Sequence, residues 1–159
     1  MMVAGAVAGG LVGAVVLSVG FELAQAAGLT RTDFPLILGS AFFEDRDRAR
    51  AIGYALHLAD GILFSLVYAA IFAAVGHAGW LFGLVLGAVQ AGFLGGPLAN
   101  TILPAVHPRM GKDWTDASQT PLLEPPGFML TNYGAGTVAV TTTLHLVFGA
   151  IVGAFAAGL

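Results

Sequence analysis

Apolar residues run along this chain in four long continuous blocks, Val3–Ala27, Ile52–Val75, Trp80–Leu103 and Gly136–Leu159. Crossing a hydrocarbon core takes about 20 apolar residues in a helix, and only helices and closed barrels satisfy the backbone inside a bilayer. Runs without period-two alternation exclude barrel strands. The pattern predicts an all-α fold, a transmembrane four-helix bundle with antiparallel neighbours. It forms a single domain over 1–159 with spans at about 3–27, 52–75, 80–103 and 136–159.

The connections refine that picture. Only Gly76-His77-Ala78-Gly79 separates the second and third runs, which predicts a tight hairpin between adjacent helices. The other two connections, Gly28–Ala51 and Pro104–Gly134, are long, and each is expected to carry a short interfacial segment. In the first, Asp33 is placed to cap a short apolar helix beginning Phe34-Pro35-Leu36, and Glu44 is spaced to pair with Arg48 one turn on. In the second, Pro104, Pro108, Pro121, Pro125 and Pro126 predict irregular chain. Trp114 and Phe128 are candidate headgroup anchors there, and Thr131 or Asn132 is expected to cap the fourth span.

Composition agrees with the pattern and adds an orientation. The chain is 57% hydrophobic and 9% charged, against roughly 25% charged in soluble domains, and its mean hydropathy is +0.87. All six basic residues, Arg31, Arg46, Arg48, Arg50, Arg109 and Lys112, fall in the two long loops. Under the positive-inside rule this predicts both long loops cytoplasmic, with the N- and C-termini outside. The preference for arginine over lysine and the abundance of Gly and Ala point to a bacterial protein, hence to the bacterial inner membrane. No Lys or Arg precedes the first run, so it lacks the positive n-region of a signal peptide and is expected to be retained. A net charge of −3 without a basic face argues against nucleic-acid binding. Zero cysteines exclude disulfides, thiolate metal sites, iron–sulfur ligation and a cysteine nucleophile within these residues.

Glycine recurs every four residues at Gly5, Gly9 and Gly13, at Gly79, Gly83 and Gly87, and at Gly149 and Gly153. Small residues at that spacing let helix backbones approach closely, which drives association where lipid removes the hydrophobic difference. Three such faces exceed what one four-helix protomer needs. One is therefore expected to dock a partner, either a second copy of the chain or a subunit of a larger membrane complex.

Ionisable residues inside a membrane cost about 2.5–3.5 kcal/mol each on insertion scales, so each asks for a reason. Glu22, His57, Asp60 and His145 lie within the predicted spans, with Gln90 and Asn100 as neutral polar companions. Their positions predict one inward-facing cluster in the loop-side half of the bundle. One reading is interhelical hydrogen bonding alone. A second is a cation or proton site, in which His57, Asp60, His145 and Glu22 supply two imidazoles and two carboxylates for a divalent metal ion. A third is haem held by His57 and His145, which nothing else in the chain supports. His107, Arg109 and Glu124 are expected at the loop-side mouth of the cluster. No phosphate loop, nucleophile elbow or zincin helix is present, so the sequence offers no catalytic residues and leans away from an enzyme.

The stretches Leu103-Pro104-Ala105-Val106-His107-Pro108-Arg109-Met110, Leu123-Glu124-Pro125-Pro126-Gly127-Phe128 and His145-Leu146-Val147-Phe148-Gly149 resemble a group of uncharacterised bacterial four-span integral membrane proteins. The resemblance implies the fold and the membrane address and transfers no activity. Two functions of different class follow. One is a small membrane protein whose polar cluster binds a cation or handles protons. The other is an accessory subunit that docks through its glycine faces, its polar cluster purely structural.

Overall fold

The computed structural model describes residues 2–110 and 123–159. Its regular structure there is helical, in the order α1 (Met2–Ala26), α2 (Phe34–Ser40), α3 (Arg46–Val75), α4 (Trp80–Phe93), a π-helical continuation (Leu94–Ile102), α5 (Leu103–Val106), a short 3₁₀ segment (Phe128–Tyr133) and α6 (Thr137–Ala157). α1, α3, the run Trp80–Val106 and α6 are each long and apolar enough to cross a bilayer, at 25, 30, 27 and 21 residues. These four helices mark the chain as a membrane protein. Lys112 and the anchor expected at Trp114 lie outside the described residues.

The third of these helices is not uniform. Gly95 and Gly96 favour helix weakly, and Pro97 has no N–H to donate and a ring that clashes with the carbonyl one turn back. The ladder relaxes by widening into the π-helical segment, a known response to such an interruption.

Among the four long helices, three pairs carry the packing: α4 on α6, α6 on α1 and α1 on α3. A Cβ on Gly5 would meet Phe155 and Ala156, one on Gly9 would meet Val152 and Phe155, and one on Gly13 would meet Phe148. Numbers rise along α1 as they fall along α6. On the opposite side of α6 the approach is backbone to backbone throughout. A Cβ on Gly83 would lie 2.0 Å from the Gly149 carbonyl oxygen, and one on Gly153 would lie 2.3 Å from that of Gly79. Gly87 lies against the backbone of His145 in the same way. α6 is thus the central helix, gripped through backbone contact on two sides. All eight glycines of the three faces are engaged inside this one chain, which corrects the expectation that one face is spare. α6 meets a glycine face on each side: Gly5 lies against its backbone, and Gly9 and Gly13 receive the Phe155 and Phe148 side chains.

α3 and α4, joined by Gly76–Gly79, are neighbours, but their backbones stand farther apart than those of the other packed spans. A short connection fixes the ends of two helices and leaves their axes free. The glycines of α4 draw it onto α6, while the rings of Tyr68, Phe72 and Phe82 stand between α4 and α3, with Phe72 and Phe82 centred 5.5 Å apart. Large rings space what glycine would bring together.

The space left between α3 and α4 at the loop-bearing end is filled by α2. Gly39 sits where a Cβ would strike the Ala49 carbonyl, and Gly53 where one would strike that of Pro35, so α2 is docked backbone to backbone on α3. Its other side packs on the π-helical segment and its flanks, where Ile37 shares a buried cluster with Ala99, Met110, Leu130 and Tyr133. The main core lies farther along the bundle, around Leu17, Phe21, Tyr68, Phe72, Phe148 and Val152.

Loop details differ from expectation in two places. Glu44 pairs with Arg109 at 3.4 Å, not with Arg48. It precedes the helix, whose cap is Asp45 accepting from the Arg48 N–H at 2.9 Å, and so has no helical register with Arg48. Neither Thr131 nor Asn132 caps α6, which begins after Gly136. Their side chains bond instead to the Phe128 and Pro125 carbonyls, at 2.8 and 2.9 Å.

Candidate functional site

A partly enclosed cavity of about 90 Å³ lies between α3 and α4, walled by Ala14 and Leu17 of α1, Phe34 and Leu38 of α2, Phe64 of α3, Leu94 and Leu98 of the π-helical segment and Phe148 of α6. Four polar side chains interrupt this apolar wall: His57 and Asp60 from α3, Gln90 from α4 and His145 from α6. The volume holds several waters.

His57 and Asp60 are three apart on α3 and so share a face. His57 is fixed by a 2.9 Å contact between its Nδ1 and Ser18 Oγ, and by stacking on Phe34 with ring centroids 6.1 Å apart. His145 is almost wholly buried, and its Nδ1–H donates to the Thr141 carbonyl at 2.7 Å. In both imidazoles Nδ1 is committed to an anchor, so Nε2 is the atom left for other partners. Gln90 is likewise anchored at one end, its Oε1 accepting from Tyr68 O–H at 2.7 Å, with its amide N–H groups remaining as donors. Asp60 is half-buried.

Two residues expected in this cluster are elsewhere. Glu22 is exposed, bonds Tyr54 O–H and faces a separate shallow groove with Ser18, Val19 and Leu58. The buried stripe of α1 runs through Gly10, Gly13, Ala14, Leu17 and Phe21, and Glu22 falls beside it. Ser18, one turn earlier on that flank, takes the contact with His57 instead. Asn100 is exposed and lines no wall of the cavity, because the wider turn of the π-helical segment puts Leu94 and Leu98 inward. Glu22 is thereby out of reach of a shared ion. Among the described residues no three of His, Cys, Asp and Glu come together in a way that could hold a metal.

The residues expected at the mouth form a clamp on α2. His107 accepts the Arg109 N–H at its Nδ1 at 3.2 Å, so Nε2 carries the proton and donates to the Ile37 carbonyl at 2.9 Å. The Arg109 guanidinium donates to the Ser40 carbonyl. Both meet the C-terminal carbonyls of α2, where orphan acceptors and the helix dipole favour a donor or a cation. The opposite end of α2 is held by Asp33, which accepts the Leu36 N–H at 3.1 Å and pairs with Arg50 at 3.5 Å and Arg46 at 4.0 Å. Glu124 belongs to a neighbouring knot, with Arg31 at 3.2 Å and its carbonyl accepting Tyr133 O–H at 2.7 Å. Burial and the Glu124 carboxylate hold the Tyr133 phenol above its usual pKa, with Arg31 opposing.

Several contributors escaped the sequence reading. Tyr68 is one, and the four-residue spacing Asp60, Phe64, Tyr68, Phe72 could have placed it on the cavity face. Thr137 is another, four before Thr141 and eight before His145. Ser18 carries no such signal, because its role depends on how α1 meets α3. Compared with known protein families, with curated proteins and with solved structures, this chain matches none.

Proposed function

We propose that this chain is a single-domain, antiparallel four-span membrane protein that handles protons at the cavity between α3 and α4, with His57, Asp60 and His145 as the exchanging groups and Gln90 as an orienting donor. The observation that carries this reading is that three ionisable side chains from two spans line one cavity with room for several waters, each kept inside the membrane at a cost of about 2.5–3.5 kcal/mol. Protons are favoured over a bound cation because, among the described residues, no three ligating side chains come close enough together to hold a metal ion. The accessory-subunit alternative rested on a spare glycine face, and those glycines face other helices of the same chain. In the orientation we propose, the two long loops with their six basic residues face a bacterial cytoplasm, and both termini and the 76–79 hairpin face outward.

The test is proton flux into liposomes containing the purified protein and a trapped pH-sensitive dye, under an imposed pH gradient. Wild type is expected to dissipate the gradient faster than empty vesicles. Asp60→Asn and His145→Ala are expected to lower the rate on the order of 100-fold, the scale of removing a positioned proton-transfer group. A wild-type rate equal to that of empty vesicles, or variants that conduct normally, would falsify the reading.

A further inference from the structure

Thr137, Thr141 and His145 recur every four residues on α6, and all three are buried, at 0%, 0% and 2% exposure. Four residues is just over one helical turn, so they form one stripe from the loop-bearing end of α6 to the cavity. At the outer end of the stripe the Thr137 hydroxyl lies 2.7 Å from that of Thr30, which lies 2.9 Å from that of Thr32. Thr30 and Thr32 are themselves buried, and they flank Arg31, which is exposed. The hydroxyl chain therefore ends at Thr32, buried itself and next in sequence to the exposed Arg31. At the inner end His145 lines the cavity, and its Nδ1–H points back at the Thr141 carbonyl.

One atom on this line is unaccounted for. Thr141 Oγ1 is the single buried side-chain polar atom among the described residues that has no hydrogen-bond partner. Such atoms are ordinarily satisfied by ordered water where no side chain reaches them.

We infer that a buried water molecule held by Thr141 Oγ1 joins the His145 end of the cavity to the Thr137, Thr30 and Thr32 hydroxyls, giving protons a path between the cavity and the loop-bearing surface. The inference rests on the proton reading of the cavity. Each hydroxyl or water accepts one proton and releases its own on the other side, so nothing is consumed and no co-reactant is needed. His145 fits the same scheme. It takes a proton at Nε2 on the cavity side, its Nδ1–H leaves the Thr141 carbonyl and passes its proton to the Thr141 water, and rotation of the ring then restores the first tautomer with one proton moved across.

The experiment is the liposome flux assay applied to Thr141→Val, Thr137→Val and Thr141→Ser. Valine keeps the shape of threonine and removes the hydroxyl, whereas serine keeps the hydroxyl. Both valine variants are expected to fall toward the leak of empty vesicles and Thr141→Ser to conduct as wild type, all with a thermal midpoint in detergent close to wild type. Normal flux in Thr141→Val overturns the path. If Asp60→Asn and His145→Ala still abolish flux in the same assay, the cavity reading stands without it. A loss in Thr141→Val that Thr141→Ser shares also overturns the path, because the hydroxyl is then not the group required. Should Thr141→Val fail to fold, Thr137→Val and Thr137→Ser decide on the same two outcomes, since they remove and keep the next hydroxyl on the line.

Discussion

Buried polar groups in this protein are anchored at one atom and left available at another. His57 and His145 each commit Nδ1, Gln90 commits its oxygen, and the remaining atoms are those that can meet water in the cavity. Anchoring of this kind fixes side-chain orientation without using up the chemistry. Tyr133, in the loop region outside the spans, shows the opposite arrangement, with its one hydroxyl fully committed to the Glu124 carbonyl at 2.7 Å. Folding raises its pKa through burial and the Glu124 carboxylate. A phenol whose folded pKa is raised contributes stability that is fully present below its unfolded value near about 10, and loses it as pH rises through the folded value. Stability is therefore expected to decline above about pH 10, and part of that decline is expected to vanish in Tyr133→Phe. Thermal midpoints measured from pH 8 to 11 check this. Parallel curves for the two proteins would mean that Tyr133 does not titrate against the folded state.

Among the elements, α6 shows how small residues set the architecture. With lipid around the bundle there is little hydrophobic drive between helices, so close backbone approach and dispersion must supply the association. Of the two repeat glycines on α6, Gly149 is the more closely met, since a Cβ there would lie 2.1 Å from the Gly83 carbonyl oxygen. Gly149→Leu is expected to cost at least about 3 kcal/mol, the upper range for overpacking, because backbone and not a flexible side chain must move. Gly92→Leu is the matched control, as a Cβ there meets nothing within 4 Å, and it is expected to change stability by no more than about 0.5 kcal/mol. Thermal unfolding in detergent separates them. Equal midpoints would remove the case for internal packing through this face. The glycine spacing was visible in the sequence, but its use was not, because periodicity identifies a face and says nothing of which helix it meets. α2 was visible through Asp33 and the apolar run after it. Its docking into the space beside α3 was not, since Gly39 and Gly53 lie outside any repeat.

For the whole molecule, four continuous apolar runs were enough to read four helices, because the bilayer permits so few alternatives. The cavity was only half legible. Its ionisable lining could be read from His57, Asp60 and His145, but its location depends on α3 and α4 standing apart. That separation comes from ring size against glycine at particular depths, not from connection length. The structure also divides the molecule into two unlike ends. Residue 5 lies beside residue 155, and the Gly79 carbonyl lies beside Gly153, so both termini and the hairpin share one end. Arg31, Arg46, Arg50 and Arg109 make their ion pairs at the other. The absence of cysteine makes the orientation directly measurable. His77, in the hairpin, and Arg48, at the start of α3, are both exposed, so a single cysteine can be introduced at either without disturbing a buried contact. In intact cells stripped of their outer envelope, a membrane-impermeant maleimide is expected to label His77→Cys at once. Arg48→Cys is expected to react only after the membrane is permeabilised. The reverse pattern would turn the molecule over in the membrane, leaving the fold and the cavity as they are but placing the threonine path on the outer side. Equal labelling of both sites in intact cells would be harder to accommodate, because two ends joined by spans of 30 and 27 residues cannot both face outward if those helices cross the bilayer.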